Sequence, residues 1–206
     1  MTLKNPILLD LPMPIKTKRL VICPMMPGDG QEVFKAIDES RDLFSLWLPW
    51  VGDVKTWEDS EITAHEFYAG FIQRKNMNLV IKYNQQIIGM CGFNTLNWHI
   101  SSGSIGYWCL KSEQGKGYIK EAVAALTIYA FKIMNLKRIS ILCDDENIKS
   151  IRVAKSLGYT LETRAKGLLE NLRGKDLTYA RRYVRFDPSG LEDFTYAPLK
   201  GDIKLT

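Results

Sequence analysis

The strongest chemical signal in the chain is the run Gln114-Gly115-Lys116-Gly117-Tyr118-Ile119. It lies where a strand-like stretch hands over to an apolar helical pattern. The first amides of a helix have no acceptor within the helix and carry positive partial charge, so such a junction holds phosphate. Glycines let the backbone approach the anion with no Cβ in the way. Two familiar phosphate loops do not fit. A Walker loop, G-x-x-x-x-G-K-S/T, would need glycine where Leu110 stands and a hydroxyl residue where Gly117 follows Lys116. A dinucleotide fingerprint, G-x-G-x-x-G, accepts Gly115 and Gly117 but meets Lys120 at the third glycine and finds no acidic ribose contact ending the next strand at the required place. A third pattern, Q/R-x-x-G-x-G/A, takes Gln114 and Gly117 and has Ile119 in place of its small last residue. A purely structural helix cap is the alternative use of the same glycines.

These residues need elements to position them. Residues 17–26 read as a first strand, and Gly28-Asp29-Gly30 as a turn with Asp29 or Gly30 capping a helix through Ile37. Leu43 to Val51 is dense in Trp and Leu and is interrupted by Pro49. Thr56-Trp-Glu-Asp opens a longer helix, to Arg74, with a capping box. Residues 77–83 and 86–94 flank Asn84-Gln85 as an antiparallel hairpin. Residues 103–110 form a strand, 119–134 a helix with apolar residues three and four apart, and 138–143 a strand. That trio is a βαβ unit, which implies a parallel pair and a right-handed crossover. A helix over 147–157 closes at Gly158, and 159–163 and 177–186 are closing strands. The expected fold is one α/β (α+β) domain over residues 1–186, a mixed sheet flanked by helices, with a tail at 187–206.

Composition narrows the function classes. The chain has 206 residues, 46% of them hydrophobic, enough for a full core. Its 28 Lys and Arg against 23 Asp and Glu give a net charge of +5. The basic residues are scattered, apart from Lys16, Lys18, Arg19 and Arg181, Arg182, Arg185, which read as solvated strand faces, so no direct nucleic-acid partner is expected. No apolar run is long enough to span a bilayer, and the Pro-broken first fourteen residues make no signal peptide; a cytoplasmic setting without a membrane partner is expected. Cys23, Cys91, Cys109 and Cys143 lie in separate apolar stretches, and with only His65 and His99 there is little to build a metal site on. They read as reduced core thiols, and no metal is expected.

Taken together, in order and at the right spacing, several segments resemble the GNAT acetyltransferase superfamily, in particular its RimJ/RimL-like branch of protein N-terminal acetyltransferases. They are Thr17-Lys-Arg-Leu-Val-Ile, Leu46-Trp-Leu-Pro-Trp-Val, Ile105-Gly-Tyr-Trp-Cys-Leu with the glycine loop and Glu121-Ala, Asn147-x-x-Ser150, and Leu157-Gly-Tyr159. The likeness runs from about Thr17 to Phe186. It implies that the strands at 103–110 and 138–143 splay at their C-terminal ends and admit the pantetheine arm of acetyl-CoA as a pseudo-strand. Trp108, Cys109 and Leu110 would meet that arm. A backbone amide near Trp108 or Cys109 would face the thioester carbonyl. Gln114, Gly115, Lys116, Gly117, Tyr118, Ile119 and Lys120 would hold the pyrophosphate of coenzyme A. Asn147 would bond the pantetheine region or cap its helix.

For the chemistry, the resemblance implies Ser150 as general acid for the departing thiolate, in a helix where many wider relatives carry a tyrosine. The branch's base is a glutamate after a Gly-Phe segment. Its ungapped equivalent here is Leu169, which leaves neighbouring Glu170 as the candidate. A free α-amine, with pKa about 7.8, is about 15% neutral at pH 7, against about 0.04% for a lysine amine, so an N-terminal acceptor needs little help from a base. Trp47 and Trp50, three apart, would share a helical face if their segment is helical, and would line the acceptor groove or serve as core. The function expected is direct acetyl transfer from acetyl-CoA to a primary amine in a ternary complex. The acceptor implied is a protein N-terminus of ribosomal-protein type. A small amine (polyamine or aminoglycoside) is the alternative acceptor. A non-catalytic acyl-CoA-binding module or a nucleotide binder is the alternative class. A homodimer is compatible with the sequence.

Overall fold

The computed structural model describes residues 5–174 and 176–191, together with the backbone of 197–198. Strands are β1 (Ile15–Lys16), β2 (Val21–Pro24), β3 (Met77–Tyr83), β4 (Gln86–Asn97), β5 (Ser102–Cys109), β6 (Arg138–Asp144), β7 (Thr160–Lys166), β8 (Tyr179–Arg185) and β9 (Ala197–Pro198). Helices are α1 (Gly30–Glu39), α2 (Arg41–Phe44), α3 (Trp57–Ile72), α4 (Tyr118–Lys132) and α5 (Ile148–Ser156). One mixed sheet runs β7-β8-β6-β5-β4-β3-β2-β1-β9, with β5 and β6 parallel and its other pairs antiparallel. Of the tail reading, residues 192–196 and 199–206 lie outside the described residues.

Strand alternation sorts the core into two layers. Ile22, Leu79, Ile81, Cys91, Phe93 and Ile105 face α4 and α5. Val80, Met90 and Trp108, from the same strands, face α1, α2 and α3. The capping box at Thr56 forms as expected: Thr56 Oγ1 accepts from the Asp59 amide, and Asp59 returns a bond to the Thr56 amide.

Three expectations change. The first strand, expected over 17–26, is a hairpin: Thr17 donates its amide to Leu20 O and its Oγ1 accepts from the Leu20 amide, so the chain turns between β1 and β2. The Trp-rich segment is not one helix. Pro49 forces Leu48 into extended backbone (φ −122°, ψ 102°), so α2 ends at Phe44 and Trp50 sits in a separate 3-10 turn, Pro49–Gly52. Trp47 and Trp50 therefore share no helical face. Helix α4 is buried along far more than one stripe, from Ala122 to Ala130, because the segment holding Leu11 and Met13 packs on its outer side and Tyr129 donates to Pro12 O.

Removing the cap hydroxyl of α3 leaves a first-turn amide without its acceptor. Thr56→Ala is expected to lower stability by about 1 kcal/mol, read as a shifted urea midpoint with an unchanged m-value.

Candidate active site

The ladder between β5 and β6 stops early. Register pairs run from Ser102↔Arg138 to Ile105↔Ile141, although β5 continues to Cys109 and β6 to Asp144. Beyond that point each strand keeps only its outer partner, β4 for one and β8 for the other. The result is a V with main chain on both walls.

Pleat parity decides which groups face into it. Leu110 donates its amide to Ile88 O and accepts at its carbonyl from the Glu113 amide. Two residues back, Trp108 pairs with Met90 of β4. The polar groups of Tyr107 and Cys109 therefore turn toward the V. This corrects the sequence reading, which expected Trp108, Cys109 and Leu110 to offer free backbone. Cys109 offers its amide, its carbonyl being taken by Gln114, and Tyr107 joins it, while Trp108 and Leu110 are committed to β4 and the following turn. The Trp108 ring packs in the opposite layer, 5.2 Å from Phe44. Burial pushes the Cys109 thiol up to about 12, so it stays protonated.

The glycine loop closes the open end of the V. Gly115 and Gly117 take φ of +80° and +83°, a region that costs any other residue strain. Gly117 is the N-cap of α4 and supplies no side-chain cap. Among the described residues, the amides of 115–120 have no protein acceptor. Gln114 spans the mouth: its Nε2 donates to Cys109 O at 3.2 Å, and its Oε1 accepts from Lys149 Nζ at 2.7 Å. Lys116 turns back onto Glu113 at 2.9 Å, and Lys120 is exposed. Tyr118 is buried beside Tyr83, and Ile119 leans on the core.

A network unseen in the sequence anchors this loop. Glu121, in the first turn of α4, is 6% exposed. Its Oε1 accepts from Thr17 Oγ1 at 2.6 Å and the Arg19 amide at 2.9 Å, and its Oε2 from Arg19 Nε at 2.7 Å. Arg19 Nη1 donates onward to Lys116 O at 3.0 Å. Arg19 is thus no freely solvated strand residue, and neither are Arg181, bonded to Asp145, and Arg185, bonded to Leu157 O. Burial alone would raise the Glu121 carboxyl; hydrogen bonds from Thr17 and Arg19 and the Arg19 charge outweigh it and hold the group below its ordinary value. A lone acid in an otherwise apolar helix was the available signal.

On the β6 wall, Asn147 caps α5, accepting the Ser150 amide at 3.1 Å. Ser150 Oγ lies 2.9 Å from Tyr107 Oη. The local sequence around Tyr107 carries no signal of this contact. At the tip of β6, Asp144 accepts from Arg173 Nη2 at 2.9 Å and Thr178 Oγ1 at 3.0 Å. Arg173 also lies 4.3 Å over the Trp47 ring and donates to Leu46 O. Trp47 therefore sits at this end of the V with one ring face occupied, and Trp50 is 37% exposed. Glu170 is exposed in the loop after β7, and among the described residues no hydrogen bond or ion pair ties it to Ser150. His99 is exposed in a turn. Among the described residues no cluster of His, Cys, Asp and Glu is arranged to hold a metal ion, and no helix is long and apolar enough to cross a membrane.

The sequence pattern of the Acetyltransferase (GNAT) domain matches residues 19–160. Among curated proteins, an uncharacterized N-acetyltransferase, p20, of Bacillus licheniformis is 34% identical over 90 residues, 44% of this chain and 51% of that protein; the match spans about half the length of that relative. A ribosomal-protein-serine acetyltransferase of Escherichia coli (strain K12) is 27% identical over 130 residues, 63% of this chain and 73% of that one. Among solved structures, the ribosomal alpha-N-protein acetyltransferase RimL in complex with coenzyme A superposes with a TM-score of 0.78 at 20% identity, covering 82% of this chain and 94% of that one.

Glu121 generates an acid-stability prediction. A carboxyl whose folded pKa lies below its unfolded one stabilises the fold above the unfolded value and loses that contribution as pH falls through the folded value. Glu121→Gln is expected to cost about 1–2 kcal/mol at pH 7. The gap to the parent should narrow as melting is followed from about pH 5 down to pH 3, below the ordinary glutamate pKa near 4.3.

Proposed function

The chain belongs to the GNAT acetyltransferase family, and from that premise we propose that it transfers the acetyl group of acetyl-CoA to a primary amine, the α-amine of a protein N-terminus. The observation that carries the reading is the V between β5 and β6, open past Ile105↔Ile141 and closed at one end by unpaired amides. Its chemistry fits coenzyme A on two counts. An extended amide-bearing arm can bond the inward backbone groups of Tyr107 and the Cys109 amide as an added strand would. A diphosphate can settle on the amides of 115–120, where Gly115 has nothing within 4 Å of a would-be Cβ.

Acetyl-CoA supplies an activated thioester when bound. The amine nitrogen attacks its carbonyl carbon, a C–N bond forms, and the C–S bond breaks with the electron pair leaving on sulfur. The chain's part is to hold and to move protons. The inward Cys109 amide is the donor available for the carbonyl oxygen as negative charge grows there. Ser150 is the general acid that presents its hydroxyl proton to the leaving sulfur. The amine proton goes to solvent, with Glu170 the carboxylate on hand. An acceptor that is already partly neutral at pH 7 asks for no buried base, which agrees with the exposed position of Glu170. The acceptor approaches beside Trp47 and Trp50. Relatives named for ribosomal-protein acetylation support a protein acceptor and a cytoplasmic setting.

Incubation with acetyl-CoA and synthetic peptides that begin with serine or alanine is expected to give acetylated peptide by mass spectrometry, and none from the same peptides with blocked N-termini. Faster transfer to spermidine or an aminoglycoside would replace the acceptor proposed here. Coenzyme A binding without transfer to any amine would leave a binding module. Gly117→Val forces a β-branched residue into φ +83° and is expected to weaken coenzyme A binding at least about tenfold by calorimetry. Ser150→Ala is expected to lower kcat about tenfold or more while KM for acetyl-CoA changes little.

A further inference from the structure

Tyr107 and Cys143 stand two residues beyond the last registered pair, Ile105↔Ile141, one on each wall of the V. Had the ladder continued they would have met in register one pair after Gly106 and Leu142. Ser150 reaches the first. Its Oγ is 2.9 Å from Tyr107 Oη, while the Cys143 thiol donates to Arg181 O at 3.9 Å. Tyr107 Oη has a second, longer acceptor for its proton in the Ser150 carbonyl at 3.4 Å, against 2.9 Å to Ser150 Oγ. Among the described residues, both hydrogen-bond partners of the Tyr107 hydroxyl therefore belong to Ser150.

A serine hydroxyl has one proton. If Ser150 gives it to Tyr107, none remains for a ligand in the cleft. If Tyr107 gives its proton to Ser150 Oγ, the serine proton is free. Burial pushes the Tyr107 phenol well above its ordinary range, so it remains a donor throughout neutral pH. The two titratable groups that act by charge on the Tyr107 phenol, Cys143 and Tyr159, are neutral there too, while Asp144, Asp145 and Arg181 act on Cys143 from its far side. Burial raises the Cys143 thiol, and the Tyr159 phenol is raised by burial and bonded to Thr127. A neutral thiol is a weak acceptor and competes poorly for the serine proton.

We propose that Tyr107 is a positioning residue: its hydroxyl donates to Ser150 Oγ and so leaves the Ser150 proton directed at the sulfur of the leaving thiolate. This deepens the reading of Ser150 as general acid and rests on it. During transfer the C–S bond breaks, the sulfur keeps the electron pair, and Ser150 donates toward it while Tyr107 donates to Ser150. Tyr107 itself touches no reacting atom.

The test uses the full chain with coenzyme A alone as probe, so no acceptor need be known. Thiolate absorbance of the bound coenzyme is titrated as a difference against enzyme without it. A hydrogen bond to the thiolate lowers the thiol pKa, so Ser150→Ala is expected to raise it by about half a pH unit or more. Tyr107→Phe should reproduce at least half of that rise and should add nothing in the Ser150→Ala background. In transfer assays with a serine-initiated peptide, Tyr107→Phe should lower kcat about tenfold, with KM for acetyl-CoA within about twofold. Site-specific 3-fluorotyrosine at 107 keeps the packing and makes a stronger donor. It should move the bound thiol pKa the opposite way, which keeps the test intact should the phenylalanine variant fold poorly. A Tyr107→Phe titration that overlays the parent, while Ser150→Ala is displaced, overturns the inference alone. Equal displacement by Tyr107→Phe with and without Ser150 also overturns it. If Ser150→Ala itself leaves the titration unmoved, the assignment of Ser150 falls and this inference with it.

Discussion

The structure depends on one constraint: β5 and β6 are joined at their starts and held apart at their ends. Parallel pairing would ordinarily run on, because unpaired backbone in a sheet interior is costly. Here each strand is already committed on its other edge, β5 to β4 as far as Cys109 and β6 to β8 as far as Asp144. The two outer ladders fix the directions of the walls, and the strands diverge from Ile105 and Ile141 onward. The open groups of Tyr107 and the Cys109 amide are thus a product of topology. On the proposed reading an extended ligand with its own amides meets them, and such binding needs few specialised side chains.

The second requirement is a rigid end to the V. A loop with two residues at positive φ is a poor anion site if it can move, since ordering it would consume binding energy. Glu121 solves this from inside the helix that the loop begins. A nearly buried carboxylate is tolerable only when fully bonded. Its three donors all come from the β1–β2 turn, Thr17 and Arg19. Arg19 carries the restraint on to the Lys116 carbonyl. Gln114 and Lys149 tie the other side to α5. The loop is therefore braced from the first hairpin and from the last helix before β7, elements that no local sequence window joins.

Much of the fold was legible because its signals are local. Alternation around Asn84-Gln85 gave the β3–β4 hairpin, the capping box at Thr56 gave the start of α3, and the strand–glycine loop–helix order gave the βαβ unit. Failures came where a distant partner overrode a local pattern. The apolar spacing of α4 reads as one stripe because the segment carrying Leu11 and Met13, which covers its outer side, is more than a hundred residues away in sequence. Trp47 and Trp50 read as one helical face until Pro49 is allowed to end the turn. In the site, Gln114 to Lys120 and the Asn147–Ser150 pair could be found from motif. Tyr107 could not be told from core, because only the parity set by Leu110 and Ile88 shows which way its backbone faces.

That parity also separates two kinds of recognition. On the proposed reading the cofactor side is met by main chain, which any residue supplies, so Ile119 can stand where a small residue is usual. The acceptor side proposed is built from side chains on two loops, the α2–α3 segment with Trp47 and Trp50, and the β7–β8 segment with Arg173. Among the described residues Arg173 joins them, bonding Leu46 O and Asp144 while stacking on Trp47. Backbone recognition tolerates sequence change, whereas a guanidinium stacked on an indole and paired with a buried carboxylate does not. On the proposed reading, selectivity among amines resides in these two loops, and its geometry is set by how Arg173 holds them against the tip of β6.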